Sequence, residues 1–107
     1  MSKKEIINSI RKLSQQVMPV GTKVILFGSQ ARNEAHTESD WDILIILNKR
    51  EKANNQDFDE VAFPLVELGW ELGAIINPIL YSKEDWEKRN FTPFYKNVKR
   101  DGILLWD

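Results

Sequence analysis

The chain has 107 residues, 42% apolar and 29% charged, and its 15 basic and 16 acidic side chains leave a formal net charge of −1. That size implies one globular domain over residues 1–107, and the near-neutral charge argues against independent nucleic-acid binding, which calls for a basic face. Disulfides and cysteine-ligated metals are excluded by the lack of cysteine, no apolar run is long enough to span a membrane, and the polar start at residues 1–8 lacks the apolar core of a signal peptide; a cytoplasmic setting is expected.

Ser2-Lys3-Lys4-Glu5 has the form of a capping box. Ile6, Ile10, Leu13 and Val17 follow at helical spacing, which predicts an amphipathic helix of about four turns packed on a sheet. Pro19 and Gly21 end it. Thr22 to Phe27 is a short apolar run handing over to Gly28-Ser29, as a buried strand does at a turn. Gln30, Ala31 and Arg32 are good helix formers, so a short helix is expected to begin at Ser29. Residues 33–38 read as a loop. The only histidine, His36, falls in it, and a lone loop histidine is more often a surface residue than a catalytic one.

Asp40 and Asp42 open a second run, Ile43-Leu44-Ile45-Ile46-Leu47, apolar throughout and so expected to be buried on both faces. Residues 48–56 are polar, and the Lys49, Arg50 and Lys52 cluster reads as a solvated edge. Residues 57–72 carry Phe58, Val61, Ala62, Leu65, Val66 and Trp70 at helical intervals, with Pro64 predicting a kink or two short helices. The third strand is placed at Ala74 to Leu80, and Pro78 puts it at a sheet edge or bulge. Ser82 is expected to cap a short helix, and Thr92-Pro93 to start another running to Gly102. Ile103 to Trp106 reads as an apolar tail. The alternation of helices and strands makes this an α/β (α+β) protein with a small mixed β-sheet and flanking helices.

The chemistry-bearing residues lie at two strand ends. Residues i and i+2 of a strand share a face, so Asp40 and Asp42 project together while Trp41 points away. Glycine at position 28 admits close approach to the backbone, the N–H groups of a first helical turn favour a phosphate, and Ser29 adds a hydroxyl. Two carboxylates beside a phosphate-binding turn describe a Mg²⁺-nucleotide site. Gly-Ser, ten intervening residues and Asp-x-Asp would match by chance on the order of once in a thousand chains of this length. Arg32 reads either as a cation near the phosphates or as a solvated residue.

This stretch resembles the motif of the DNA polymerase beta nucleotidyltransferase superfamily, and in particular its minimal nucleotidyltransferase (MNT) members, often encoded beside HEPN-domain proteins. Gly28, Ser29, Ala31, Arg32, Ser39, Asp40 and Asp42 match the family pattern. The resemblance implies a polymerase beta palm-like fold, with Asp40 and Asp42 holding Mg²⁺ and Gly28 and Ser29, with Arg32 and Ser39 beside them, holding a nucleoside triphosphate such as ATP. The family adds a third carboxylate from a later strand. Residues 74–80 contain none, and Asn77 is the polar residue there, so it is expected at the third position unless it serves only a turn or bulge beside Pro78.

An amide can ligate Mg²⁺ but cannot act as a base, so nucleotide binding is the firmer expectation and turnover the weaker one. The resemblance further implies transfer of a nucleotidyl group to a hydroxyl of a partner protein or small molecule, with a HEPN-domain protein as partner in a toxin–antitoxin pair. The alternative is a catalytically weak module that neutralises its partner by binding. Larger superfamily members hold the acceptor with a second domain, and here a separate protein is expected to supply it. Four tryptophans are candidates for an interface, at least two of them more readily read as core.

Overall fold

The apolar run after Asp42 becomes the centre of a sheet. The computed structural model describes residues 1–34 and 40–107; Ser39 and His36 lie outside the described residues. Strands β1 (Lys23–Phe27), β2 (Trp41–Leu47), β3 (Ile76–Ser82) and β4 (Ile103–Trp106) form a four-stranded sheet in the order β3-β2-β1-β4. β1 is antiparallel to both β2 and β4, whereas β2 and β3 are parallel. A parallel pair needs a long crossover, and the helical segment between β2 and β3 provides it. The sheet is mixed, as expected.

Helices cover both faces. Helix α1 (Lys3–Val17) and helix α3 (Phe63–Leu72) press Ile6, Ile10 and Leu65 against Trp41, Ile43 and Ile45. On the other face, α4 (Lys83–Lys88) and α5 (Pro93–Asp101) pack Trp86 and Val98 against Leu44 and Ile46. The seven residues of β2 are therefore buried apart from Asp42, which is partly exposed. Trp41 and Trp86 are core residues, while Trp70 is 68% exposed.

The caps fall where the side chains dictate. Glu5 N–H donates to Ser2 Oγ (3.2 Å) and Ser2 N–H to Glu5 Oε1 (3.4 Å), closing the capping box. Ser82 and Thr92 hydroxyls accept from Asp85 and Tyr95 N–H, each at 3.2 Å. Pro78 sits on β3, an edge strand, where its missing N–H costs no ladder bond.

Three expectations need correction and a fourth is resolved. Gln30 to Arg32 form turns rather than a helix, because Gly28 (φ 75°) and Asn33 (φ 60°) bracket them with left-handed backbone. Of the two alternatives for residues 57–72, a kink or two short helices, the structure has two helices, α2 (Asn55–Asp57) and α3, joined by a π-helical turn, Phe58–Ala62. Pro64, in the first turn of α3, has no N–H for the preceding turn, and the widened turn absorbs that loss. The third strand runs Ile76–Ser82, two residues later than expected, since Gly73 in left-handed conformation (φ 69°) first closes α3. The apolar tail is strand β4, held by the open side of β1.

A side chain outside the site tests the local account. Asp57 Oδ2 accepts from Asn54 N–H (3.0 Å) and from Lys49 Nζ (2.6 Å), and Asp57 N–H donates to Asn54 Oδ1 (2.8 Å). The Lys49 bond foremost, then the Asn54 backbone bond, hold the Asp57 carboxyl below its ordinary value of 3.8. Asp57→Ala should cost about 1 kcal/mol of stability at pH 7, which for a domain of this size lowers Tm by roughly 4–8 °C. A depressed carboxyl stabilises above its unfolded value and loses that contribution as pH falls through the folded one. Thermal denaturation should therefore show the gap between the two proteins narrowing below pH 3.8.

Candidate active site

The site is built where three strand ends meet. In the antiparallel pair of β1 and β2, Phe27 faces Asp42; in the parallel pair of β2 and β3, Asn77 faces Asp42. Asn77 thus stands beside Asp42 on the same side of the sheet. One step before β2, Asp40 Oδ2 accepts a hydrogen bond from Asn77 Nδ2 at 2.9 Å. Asp40, Asp42 and Asn77 form one polar cluster at the head of β2 and β3, with the Asn77 amide donating to one of the two acids.

Gly28 closes the cluster from the β1 side. Its backbone is left-handed, and any Cβ placed there would collide with Asp42 Oδ2 and lie 3.3 Å from Asp42 Cγ. The bare Cα lets the Gly28-Ser29 turn and the Asp42 carboxylate share one small space. Ala31 and Arg32 N–H donate back to Gly28 C=O at 3.1 and 3.2 Å, and Glu34 N–H to Ser29 C=O at 3.0 Å, so the turn is braced from within. Among the described residues the Ser29 hydroxyl has no hydrogen-bond partner and remains available to a ligand.

Sequence reading missed Lys3. From the first turn of α1 its Nζ donates to Gln30 C=O at 2.6 Å and to Asn33 Oδ1 at 3.2 Å, pinning the turn to the α1 end of the molecule. Both ends of that contact look like ordinary solvated residues in sequence; only the packing of α1 brings them together.

Burial pushes the Asp42 carboxyl above its ordinary value; neighbouring Asp40 adds to the rise, while Asn77 and the Arg32 guanidinium oppose it. Two acids are thus held together with incomplete compensation, an arrangement that a cation would relieve. Two carboxylates and an amide suit a hard, oxygen-seeking divalent ion such as Mg²⁺, and the bare Cα of Gly28 is what lets the Asp42 carboxylate lie against the turn. The donor set fits the group. Among the described residues there is no cluster of three or more acidic, histidine or cysteine side chains that could hold a metal. Arg32 Nε now pairs with Glu34 Oε2 at 3.2 Å, an exposed bridge with both partners largely in solvent. Such pairs contribute little, so the guanidinium is free to turn towards an anion at the turn.

Comparisons with known proteins bear on the family and the fold. The profile of the nucleotidyltransferase domain matches residues 3–103. A Methanocaldococcus jannaschii chain that carries the name of a protein adenylyltransferase is 34% identical over 103 residues, covering 96% of this chain and 93% of that one. A solved toxin–antitoxin structure with AMP-PNP superposes with a TM-score of 0.63 at 22% identity, over 94% of this chain and 72% of that one. A tri-AMPylated Shewanella oneidensis HEPN toxin in complex with MNT antitoxin gives 0.60 at 21% identity, over 98% and 72%. A Sulfolobus solfataricus structure described as a nucleotidyltransferase gives 0.58 at 19%, over 97% and 86%. The structural likenesses establish the shared fold, and the profile match and the archaeal relative establish descent: the chain belongs to the nucleotidyltransferase domain family.

Proposed function

We propose that this protein is a Mg²⁺-dependent adenylyltransferase that binds ATP at the Gly28-Ser29 turn and transfers AMP to a hydroxyl of a partner protein, in the manner of an antitoxin acting on a HEPN-domain toxin. The observation that carries this reading is the junction of Asp40, Asp42 and Asn77 at one strand end, with the Asp42 carboxylate lodged against the bare Cα of Gly28. Asp40 and Asp42 would hold the metal. When bound, it supplies positive charge that draws the phosphate oxygens in and stabilises the charge developing on them.

The chain's own residues do the rest by position. Gly28 and Ser29 seat the phosphates by backbone approach and hydroxyl donation, and Arg32 adds a cation beside them, with Ser39 proposed as a further nucleotide-binding residue. In the transfer, the acceptor oxygen bonds to the α-phosphorus, the bond to the bridging oxygen of the β-phosphate breaks, and pyrophosphate leaves with that electron pair. The acceptor's proton passes to solvent water, since the amide of Asn77 cannot take it, which makes this the slow part of the step. A cytoplasmic setting suits a reaction that consumes ATP. The partner reading draws support from the Shewanella complex, whose toxin is AMPylated, and from the adenylyltransferase name of the archaeal relative.

Asn77 also favours a second reading, in which the chain binds Mg-ATP and its partner but turns over little. A well-placed general base contributes about 10²–10⁴-fold in rate, so the natural chain should transfer AMP slowly. Asn77→Asp restores the charge and the base at the same register position. Incorporation of labelled AMP into a co-expressed HEPN-domain protein decides between the two readings. Transfer that is slow in wild type, faster in Asn77→Asp and lost in Asp42→Ala supports the enzyme. No incorporation by either wild type or Asn77→Asp, with a stable complex, supports the binding module.

A further inference from the structure

We infer that the protein has a second anion site, separate from the nucleotide site, that takes a small oligophosphate. A cavity of about 280 Å³ opens on the α4–α5 side of the sheet, lined among others by Lys23, Lys83, Lys99, Ile46, Trp86 and Glu87. It lies at the far end of the strands from the acids: Lys23 pairs with Ile46 where Phe27 pairs with Asp42, and four residues of strand span about 13 Å.

The charge at this cavity is one-sided. Among the described residues none of the three lysines forms an ion pair. Lys99 Nζ only rests over the Tyr95 ring, 5.6 Å from its centre. Glu87, the one acid on the wall, has an oxygen committed to the Tyr95 hydroxyl at 2.9 Å. In a chain of net charge −1, three ammonium groups against the single carboxylate of Glu87 around one concavity are a local positive excess. Apolar walls from Ile46 and Trp86 reduce the screening such charges meet in open water. Lysine is a compact point charge with three donors, suited to phosphate oxygens. The volume admits a di- or triphosphate and is too confined for a folded peptide segment, which favours the small polyanion.

The test is calorimetric titration of tripolyphosphate into the full chain at low salt with EDTA present, so that no metal-dependent binding contributes. Wild type and Asp42→Ala should bind alike, which separates this site from the nucleotide site. Lys83→Ala and Lys99→Ala should each weaken binding by about tenfold, one charge-assisted bond apiece, and Lys83→Arg should retain most of the affinity. Lys12→Ala, an exposed lysine of α1 away from the cavity, should leave it unchanged. No binding by wild type, equal weakening by Lys12→Ala, or binding of a glutamate-rich peptide in place of tripolyphosphate would overturn the proposal.

Discussion

Asp42→Asn should lose AMP transfer by on the order of 10²–10³-fold and yet, without divalent cation, fold more stably than the natural chain at pH 7. The two effects share one cause. Burial and the neighbouring Asp40 raise the Asp42 carboxyl above its ordinary value, so the folded state resists the charge it must carry. A carboxyl raised on folding adds stability at low pH and withdraws it as pH rises through the folded value. Asparagine keeps the shape and removes the charge. The stability gain should be present at neutral pH and vanish below the unfolded value of 3.8, as thermal melts across that range would show. Functional sites commonly hold such destabilising groups. A variant that melts at or below wild type, or that transfers AMP normally, would show that Asp42 serves the fold and not the site.

Gly28→Ala should fold and should lose Mg-ATP binding by at least about tenfold, the cost of one charge-assisted contact. Two penalties meet at this position. A non-glycine residue in left-handed backbone costs about 1–2 kcal/mol, and the new Cβ would drive Asp42 Oδ2 from its place. Gly73→Ala separates the two. Gly73 has a similar left-handed φ of 69°, but a Cβ there meets nothing within 4 Å. Gly73→Ala should therefore lose only the stability due to backbone strain and keep its nucleotide affinity, while Gly28→Ala should lose at least as much stability and its affinity as well. Denaturation and calorimetry on the pair distinguish backbone strain from collision at the site.

The parts of this fold that sequence discloses are those written in local pattern. The apolar run after Asp42 marked the central strand, Pro78 the edge strand, and Ser2, Ser82 and Thr92 the helix starts. The pairing of Asp40 with Asp42 follows from strand period, and Asn77 stood out as the polar residue of the third strand where the resemblance calls for a carboxylate. What escaped depends on partners distant in the chain. β4 is four residues that become a strand only because β1 leaves an edge open. The turn after Gly28 is composed of good helix formers, and left-handed Gly28 and Asn33 stop the helix that propensity favours. Lys3 reaches Gln30 across 27 positions. Lys23, Lys83 and Lys99 remain exposed residues, and only the meeting of β1, α4 and α5 brings them to the rim of one cavity.

The central claim is that Asp40 and Asp42 hold a metal-bound nucleotide against the Gly28-Ser29 turn. Its most direct test is calorimetric titration of ATP with Mg²⁺ into wild type and Asp42→Ala, repeated with EDTA. The account predicts binding in wild type that needs the metal, and its loss in Asp42→Ala, whose circular dichroism should match wild type. Equal, metal-dependent affinity in the two proteins would place the nucleotide elsewhere and contradict it.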